Sequence, residues 1–284
     1  MCRFFAYLGQ PVILYDLLYK PVNSLINQST HAREMDEPLN GDGFGISWYK
    51  PEIDNLPGVF KSIQPAWNNI NLEMLSKKIL SGCFLAHVRA ASKGGISYFN
   101  THPFTFKEFS FMHNGIIGGF ESIKRSIHFM FSEEMYEWVK GQTDSEFFFA
   151  LYLDLLQKSQ KTFDAQSSVE TFREAVSIIL QLKKKFGVSD TTTLINSVIS
   201  DGKRLYVFRY VSNLNREANS LYYSQGHQLI YKDGHSYMLP SDKHNNSVLV
   251  ASESLSVNKN GWEELPPNHA LVVNEDMNVN ILSI

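Results

Sequence analysis

Met1-Cys2-Arg3-Phe4-Phe5 opens the chain, and Cys2 is its most informative residue. Removal of Met1 would leave a thiol and a free α-amine together on Cys2. A thiolate is a strong nucleophile, and an N-terminal amine can accept the proton of its own side chain, directly or through one water. A cysteine thiol and an α-amine titrate near ~8.5 and ~7.7–8.0, so both act close to neutral pH. Cys2 is therefore a candidate nucleophile that carries its own base, although a cysteine at this position can also be incidental.

The bulk composition excludes several classes of function. Of the 284 residues, 43% are hydrophobic and 19% are charged, which is ordinary for a globular protein. The net charge of −3 gives no reason to expect binding to nucleic acid or to an anionic membrane surface. No apolar run approaches the ~18–20 residues that span a bilayer, and the N-terminal residues do not fit a signal peptide. We therefore expect a cytoplasmic protein.

The cysteine and histidine content limits disulfide and metal chemistry. The chain has two cysteines, Cys2 and Cys83, so a disulfide framework and a thiolate zinc site are excluded. Cys83 lies in an apolar run, which favours a buried thiol on a strand. The nine histidines show no spacing typical of a metal site beside acidic ligands. We predict neither a metal nor a cofactor.

The pattern of apolar residues predicts strands, then helices, then further strands. Helical spacing predicts a short helix over Asn71–Leu80 and two longer ones over Asp144–Gln157, with a capping box at Thr143–Glu146, and over Val169–Phe186. Asp201-Gly202 predicts a hairpin between two strands, and the segment between Pro51 and Pro65 predicts a hairpin or excursion. The other predicted strands are Gly45–Tyr49, Phe84–Ala91, Phe109–His113, Leu221–Ser224, Leu229–Tyr231, His235–Leu239, Val248–Ser252, Ala270–Val273 and Asn278–Leu282. This order indicates an α+β fold with antiparallel sheets, formed by one domain over residues 2–284.

Five short strings accompany Cys2 in a fixed order. They are Asn40-Gly41-Asp42-Gly43-Phe44-Gly45, Ala86-His87-Val88-Arg89-Ala90-Ala91-Ser92, Asn100-Thr101-His102-Pro103-Phe104, His113-Asn114-Gly115 and Thr143-Asp144-Ser145-Glu146. The first is not a phosphate loop, because no Lys-Ser or Lys-Thr follows it. Its glycines instead favour close packing of a strand near the nucleophile. A later string, Val250-Ala251-Ser252-Glu253-Ser254-Leu255, completes the set.

In order and spacing these strings resemble the class II glutamine amidotransferases, a family of N-terminal-nucleophile hydrolases. The resemblance runs from Cys2 to about Val273. It is nearest to the small stand-alone branch, which includes the γ-glutamyl hydrolase of ergothioneine biosynthesis and the amidotransferase-like subunit of a glutathione-degrading complex. It implies a four-layer αββα sandwich of two antiparallel sheets.

The resemblance also implies three catalytic residues. Cys2 would supply the thiolate and the α-amine. Asn114 would donate a side-chain N–H to the tetrahedral oxyanion, and Gly115 a backbone N–H, each such donor being worth ~2.7–4 kcal/mol. The absence of a Cβ at Gly115 would let the backbone approach the substrate. The alternative for Asn114-Gly115 is a simple turn after a strand.

Three further residues would bind the amino-acid end of the substrate. Arg89 would hold the α-carboxylate with its planar guanidinium, and Asp144 would hold the α-ammonium. Ser92 would add a hydrogen bond to the carboxylate. The alternatives are a surface arginine at a strand end and a carboxylate that stabilises the first turn of a helix. His102 and His113 fall close to the site in the pattern, and we interpret both as structural.

The chain departs from the amidotransferases that make amino sugars at Ala90 and Lys93, where those enzymes have tryptophan and histidine. This difference leaves the leaving group open. We therefore predict an amidohydrolase that cleaves the γ-glutamyl amide of glutamine or of a γ-glutamyl compound through a thioester on Cys2. An acceptor enzyme as partner, or self-association, is compatible with the sequence. The alternative is a non-catalytic glutamine or γ-glutamyl sensor, or a scaffold subunit of a larger complex, which Cys2→Ala would distinguish.

Overall fold

The computed structural model describes residues 2–34, 38–90, 95–232, 235–239, 247–256 and 259–284. In the described residues the helices are α1 Leu14–Leu18, α2 Leu25–His31, α3 Ile70–Ser76, α4 Phe120–His128, α5 Glu133–Trp138, α6 Asp144–Ser159 and α7 Ala165–Lys185. The strands are β1 Arg3–Ile13, β2 Phe44–Trp48, β3 Gly58–Ser62, β4 Leu80–Val88, β5 Phe104–Phe106, β6 Phe109–Ile116, β7 Leu194–Ser200, β8 Leu205–Val211, β9 Tyr222–Gly226, β10 Gln228–Lys232, β11 His235–Leu239, β12 Ser247–Ala251, β13 Glu263–Glu264, β14 His269–Val273 and β15 Val279–Ser283.

The strands form two main antiparallel sheets. The first sheet has the order β13-β9-β12-β1-β4-β2-β3, and the second has the order β15-β14-β8-β7-β6-β5. β10 and β11 pair separately as a hairpin. The segment between Pro51 and Pro65 contributes β3, which pairs with β2 as the second strand of a hairpin. β1 occupies the middle of the first sheet, between β12 and β4.

Alternation along β1 defines the layers of the molecule. Phe4, Ala6 and Leu8 pack in an inter-sheet core with residues of the second sheet. Phe5 and Tyr7 point the other way, into a cluster with the buried leucines of α1, α2 and α3. The outer face of the second sheet packs against α4, α5, α6 and α7. The layers therefore follow the order α, β, β, α, as predicted.

The observed structure differs from the predicted elements both at boundaries and in whole elements, because the short helices α1, α2, α4 and α5 are not predicted. The apolar pattern does not predict β1, because a strand that is buried on both faces has no polar alternation to mark it. The helix predicted over Asn71–Leu80 ends at Ser76, and β4 then begins at Leu80. α7 begins four residues earlier than predicted, because the side chains of Asp164 and Ser167 form a capping box there.

The predicted capping box of α6 is only half formed. Thr143 accepts a hydrogen bond from the backbone N–H of Glu146 at 3.2 Å. The Glu146 carboxylate instead accepts the backbone N–H of Lys140 at 3.0 Å. Glu146 is buried, and burial raises the pKa of its carboxyl group.

Candidate active site

The antiparallel register brings three segments to one edge of the first sheet. Arg3, the first residue of β1, pairs with Val88, the last residue of β4, so Cys2 and Arg89 both lie just beyond the paired strands. β12 pairs with the other side of β1 and ends at the same edge, immediately before Ser252. Alternation places Cys2 and Arg89 on the inter-sheet face, where Phe4 of β1 is buried.

The Cys2 thiol points toward the end of β4. Its Sγ donates a hydrogen bond to the carbonyl oxygen of Ala90 at 3.5 Å, and the residue is partly exposed. Burial raises the pKa of the thiol, and the nearby Arg89 and Arg3 guanidinium groups oppose that rise. At neutral pH the group therefore rests as a thiol and requires a base before it can attack.

Two backbone hydrogen bonds fix Arg89 against the first glycine-rich string. The N–H of Arg89 donates to the carbonyl of Gly43, and the N–H of Asp42 donates to the carbonyl of Arg89, both at 2.9 Å. Gly43 has φ of 112°, in the region that favours glycine. At Gly45 a Cβ would come within 2.2 Å of the carbonyl oxygen of His102. The prediction that these glycines permit close packing is confirmed.

Arg89 is a buried cation in this edge of the inter-sheet core. Burial lowers the pKa of its guanidinium, and the proximity of Cys2 and Asp42 opposes that change. An arginine keeps its charge throughout the physiological range, so Arg89 presents a fixed positive group beside the Cys2 thiol.

Asn114 approaches the same edge from the second sheet. It lies on β6, two residues after the inter-sheet Met112, and is buried. Its Nδ2 donates to the Ser252 hydroxyl at 3.4 Å, and that hydroxyl accepts the backbone N–H of Phe4 at 3.1 Å. Asn114 Oδ1 has no hydrogen-bond partner among the described residues. Ser252 thus connects the amide of Asn114 to the strand that begins after Cys2.

Gly115 is constrained by the pairing of β6 with β7. A Cβ at this position would lie 2.0 Å from the carbonyl oxygen of Leu194 and 2.6 Å from Nε2 of His113. Strand packing therefore accounts for glycine here, whereas the family resemblance suggested the approach of substrate as the reason. The role of its N–H toward an oxyanion stays a prediction.

Asp144 joins the first turn of α6 to the end of β6. Its Oδ2 accepts the backbone N–H of Ile117 at 2.8 Å, and its Oδ1 accepts that of Ser145 at 2.9 Å. His113 reinforces the junction, because its Nδ1 lies 2.8 Å from the Ser145 hydroxyl and its Nε2 lies 3.2 Å from the carbonyl oxygen of Leu194. Burial lowers the pKa of His113, while the Asp144 carboxylate opposes that change. These contacts fit a structural His113 and leave the substrate role of Asp144 as a prediction.

Two stacked histidines lie behind Arg89. His87 lies on β4, two residues before Arg89, and its ring centroid lies 4.2 Å from that of His102. Both rings are buried, and their nitrogens have no hydrogen-bond partner among the described residues. Burial lowers the pKa of His87 to about 3 and that of His102 well below its usual value. Both histidines are therefore neutral at physiological pH.

Ser92, the third predicted substrate-binding residue, lies outside the described residues. Over the described part of the chain, no cluster of histidine, cysteine and acidic side chains could hold a metal ion. In that same part, no helix is long and apolar enough to cross a membrane.

Ser252 and Glu253 lie beside the candidate site, and the sequence did not predict them. Ser252 contacts Asn114 and Phe4, and the Glu253 carboxylate lies 2.7 Å from Nε of Arg3. The available signal was the string Val250–Leu255, which indicates the branch of the family but carries no role in the predicted chemistry.

A family model described as glutamine amidotransferases class-II matches residues 23–282. The chain belongs to the class II glutamine amidotransferases. Among its relatives in this family is the Saccharomyces cerevisiae protein named "Probable glutamine amidotransferase DUG3", which is 36% identical over 291 residues. That match covers 96% of this chain and 82% of the yeast protein. A gamma-glutamyl-hercynylcysteine sulfoxide hydrolase of Mycobacterium tuberculosis is 32% identical over 119 residues, which cover 41% of this chain and 50% of the hydrolase.

Two solved structures illustrate that the fold is shared with other proteins. A glutamine aminotransferase class-II domain protein from Silicibacter pomeroyi superposes with a TM-score of 0.69 and 25% identity, and the match covers 100% of this chain and 99% of the other. The phosphoribosylpyrophosphate amidotransferase of B. subtilis gives a TM-score of 0.61 at 16% identity over 99% of this chain and 49% of its own. The predicted N-terminal-nucleophile hydrolase fold is confirmed. The chain is therefore an enzyme, and its family and its hydrolase relatives support amidohydrolase activity.

Proposed function

We propose that this class II amidotransferase hydrolyses γ-glutamyl amide bonds, with Cys2 as its nucleophile once Met1 has been removed. The observation that carries the proposal is that Cys2, Arg89 and Asn114 converge on one edge of the inter-sheet core. This edge combines a thiol, a fixed cation and an amide, which are the groups that attack, hold and stabilise a γ-glutamyl carbonyl during acyl transfer.

In the first half of the reaction, the α-amine of mature Cys2 takes the proton from its thiol. Sγ then attacks the γ-carbonyl carbon, and a C–S bond forms as the carbonyl oxygen becomes an oxyanion. Asn114 and the N–H of Gly115 would stabilise that oxyanion. The C–N bond breaks when the oxyanion collapses, and the proton held by the α-amine passes to the leaving nitrogen.

In the second half, water attacks the glutamyl thioester and loses a proton to the same α-amine. The C–S bond breaks, the thiol is regenerated and glutamate is released. Arg89 would hold the α-carboxylate of the glutamyl group, and Asp144 its α-ammonium. The hydrolase named among the relatives supports water as the final acceptor.

The test is glutamate release by Met1-free protein, verified by intact mass, from glutamine, glutathione and a γ-glutamyl thioether. We expect release that depends on Cys2 and disappears in Cys2→Ala, while ligand binding survives in that variant. The preferred substrate identifies the leaving group. Absence of release from all three would contradict the proposal.

Retention of Met1 gives an independent test of the base. With Met1 in place the nitrogen of Cys2 is a peptide amide, which cannot accept the thiol proton. A form that retains Met1 should therefore be nearly inactive. Comparable turnover by the two forms, each verified by intact mass, would exclude the α-amine as the base.

A further inference from the structure

Removal of Met1, as proposed above, would make the nucleophile a chain end, and chain ends fray unless other groups hold them. After removal of Met1, a single peptide bond connects Cys2 to β1. The main-chain position of Cys2 must nevertheless be fixed within a fraction of an ångström for attack on a carbonyl carbon. The structure contains a buried group that contacts the main chain of Cys2 from the side opposite its thiol.

That group is the guanidinium of Arg3. Arg3 pairs with Val88, whose side chain packs with the helices outside the first sheet, so Arg3 points away from the inter-sheet face that the Cys2 thiol occupies. Its Nη1 donates to the carbonyl oxygen of Cys2 at 3.1 Å, and its Nη2 donates to the carbonyl oxygen of Glu34 at 2.8 Å. The residue is 1% exposed.

Glu253 holds the guanidinium in that orientation. Its Oε1 lies 2.7 Å from Nε of Arg3, and the two side chains are each 2% exposed. The same carboxylate accepts the backbone N–H groups of Arg33, at 3.0 and 3.1 Å, and of Glu34, at 3.0 Å. The amide of Asn23 adds a longer contact of 3.5 Å. The ion pair is therefore held by several further hydrogen bonds, and the guanidinium cannot rotate away from Cys2 without breaking some of them.

We propose that Arg3 and Glu253 are positioning residues that fix the main chain of the N-terminal nucleophile. This inference rests on the proposed role of Cys2. The planar guanidinium is required because three donors must reach three separate acceptors at once: the Cys2 carbonyl, the Glu34 carbonyl and the Glu253 carboxylate. A lysine ammonium retains the charge and can pair with Glu253, but it cannot reproduce this fork.

The test compares Arg3→Lys with Arg209→Lys in Met1-free protein. Arg209, on β8 of the second sheet, is a matched control because it is also buried and its guanidinium also contacts several acceptors at once. It donates to the carbonyl oxygens of Asn219 at 2.8 Å and Ala218 at 3.2 Å, and it pairs with Glu264. Two quantities are measured per folded molecule: kcat for glutamate release, and the rate at which iodoacetamide alkylates Cys2.

We expect Arg3→Lys to lower kcat at least tenfold with little change in KM, and to accelerate alkylation of Cys2 severalfold. The two rates should move in opposite directions, because a released chain end exposes its thiol while losing the geometry of attack. Arg209→Lys should lower the melting temperature without changing either rate. If Arg3→Lys leaves kcat unchanged, or if both variants change the two rates alike, the inference is wrong.

Glu253→Gln covers the case in which Arg3→Lys does not fold. It retains an oxygen that can accept from Arg3 and removes the charge, so it should move both rates in the same directions by a smaller factor. Failure of the proposed function has a different signature, namely absence of turnover by the wild-type protein. Alkylation then decides alone: a faster rate in the Arg3 or Glu253 variant but not in Arg209→Lys supports positioning, and equal rates overturn it.

Discussion

At the scale of single residues, the two thiols of the chain differ in exposure and in the charges beside them, although burial raises the pKa of both. Cys83 lies on β4 in the inter-sheet core, where it is 2% exposed and its Sγ is 3.4 Å from the Ser200 hydroxyl. Burial raises the pKa of this thiol to about 12, so essentially no thiolate forms at neutral pH. Cys2 is partly exposed and lies beside Arg89 and Arg3.

We therefore expect iodoacetamide to modify native protein once, at Cys2. Intact mass followed by peptide mapping measures the number and position of the adducts. Cys2→Ala should remain unmodified until denaturant is added, after which Cys83 should react. An adduct on Cys83 under native conditions would contradict the buried environment assigned to it.

For Asn114, the proposed chemistry predicts how far a substitution should lower kcat. Loss of one oxyanion donor typically lowers kcat by about 10²–10³-fold. We expect Asn114→Ala to show a loss of this size with little change in KM, because the donor acts on the transition state. Alkylation of Cys2 should be unchanged and serves as the control for an intact site. A loss confined to KM would assign Asn114 to substrate binding instead.

The sequence could nominate Cys2, Arg89 and Asn114 as candidate site residues because each lies in a short contiguous string. It could not locate the contacts of Ser252 and Glu253, whose partners in the first five residues are about 250 positions away along the chain. A single sequence carries local spacing but not the pairing of distant segments. The stacking of His87 on His102 was missed for the same reason, since it depends on the packing between Gly45 and His102.

At the scale of elements, the sequence predicted the long helices well and the ends of elements poorly. α6 and α7 were found because each has an apolar stripe with helical spacing over several turns. The apolar pattern does not predict β1, because both of its faces are buried. The start of α7 depends on one capping interaction between Asp164 and Ser167, which is a local polar contact rather than part of the apolar pattern.

The contact between β6 and β7 permits a prediction about Gly115. A Cβ there would lie 2.0 Å from the backbone oxygen of Leu194, so the two strands must separate to accommodate it. Overpacking of this kind destabilises proteins by about 1–3 kcal/mol. We expect Gly115→Ala to lower the free energy of unfolding in urea by an amount in the upper part of that range.

Gly187→Ala is the matched control for this substitution. Gly187 follows α7 with φ of 69°, and a Cβ added there would meet no atom of the described residues within 4 Å beyond its own chain neighbours and the helix backbone. Alanine at this position therefore meets backbone strain without a clash, and left-handed strain of this kind amounts to about 1–2 kcal/mol. If Gly115→Ala proves no more destabilising than Gly187→Ala, β6 and β7 accommodate the added methyl group at little cost. Close packing then does not explain why residue 115 is glycine.

At the scale of the whole molecule, the four-layer order was predicted through the family resemblance, and periodicity alone indicated only antiparallel α+β architecture. Apolar patterning reports which face of a strand is buried but not which strand lies beside it. The order β9-β12-β1-β4 joins early and late segments of the chain in one sheet, and that topology is what assembles the edge occupied by Cys2. The single domain over residues 2–284 stays a prediction.

The buried histidines make the stability of the whole molecule depend on pH. His87, His102 and His113 lie within the protein, and burial lowers the pKa of each; for His87 it falls from 6.5 to about 3. Arg89 and Lys61 add positive charge that further disfavours protonation of His102. In the unfolded chain these histidines titrate near ~6.5. At a pH between the lowered pKa of a folded-state histidine and ~6.5, the unfolded state binds more protons than the folded state. The free energy of unfolding therefore rises with pH in this range, and this contribution is lost as the pH falls below ~6.5.

We expect the free energy of unfolding to fall between about pH 6.5 and 4.5 by about 1.4 kcal/mol per pH unit for each histidine that stays neutral in the folded state. Urea titrations across this window measure the slope. His87→Gln removes one such group and should reduce the slope by about that amount, although its absolute stability is lower. His31→Gln, at an exposed histidine outside this buried group, is the control for replacing a histidine as such. Equal slopes in the wild type and His87→Gln would mean that His87 is protonated in the folded protein, which a stacked and buried ring beside Arg89 does not allow.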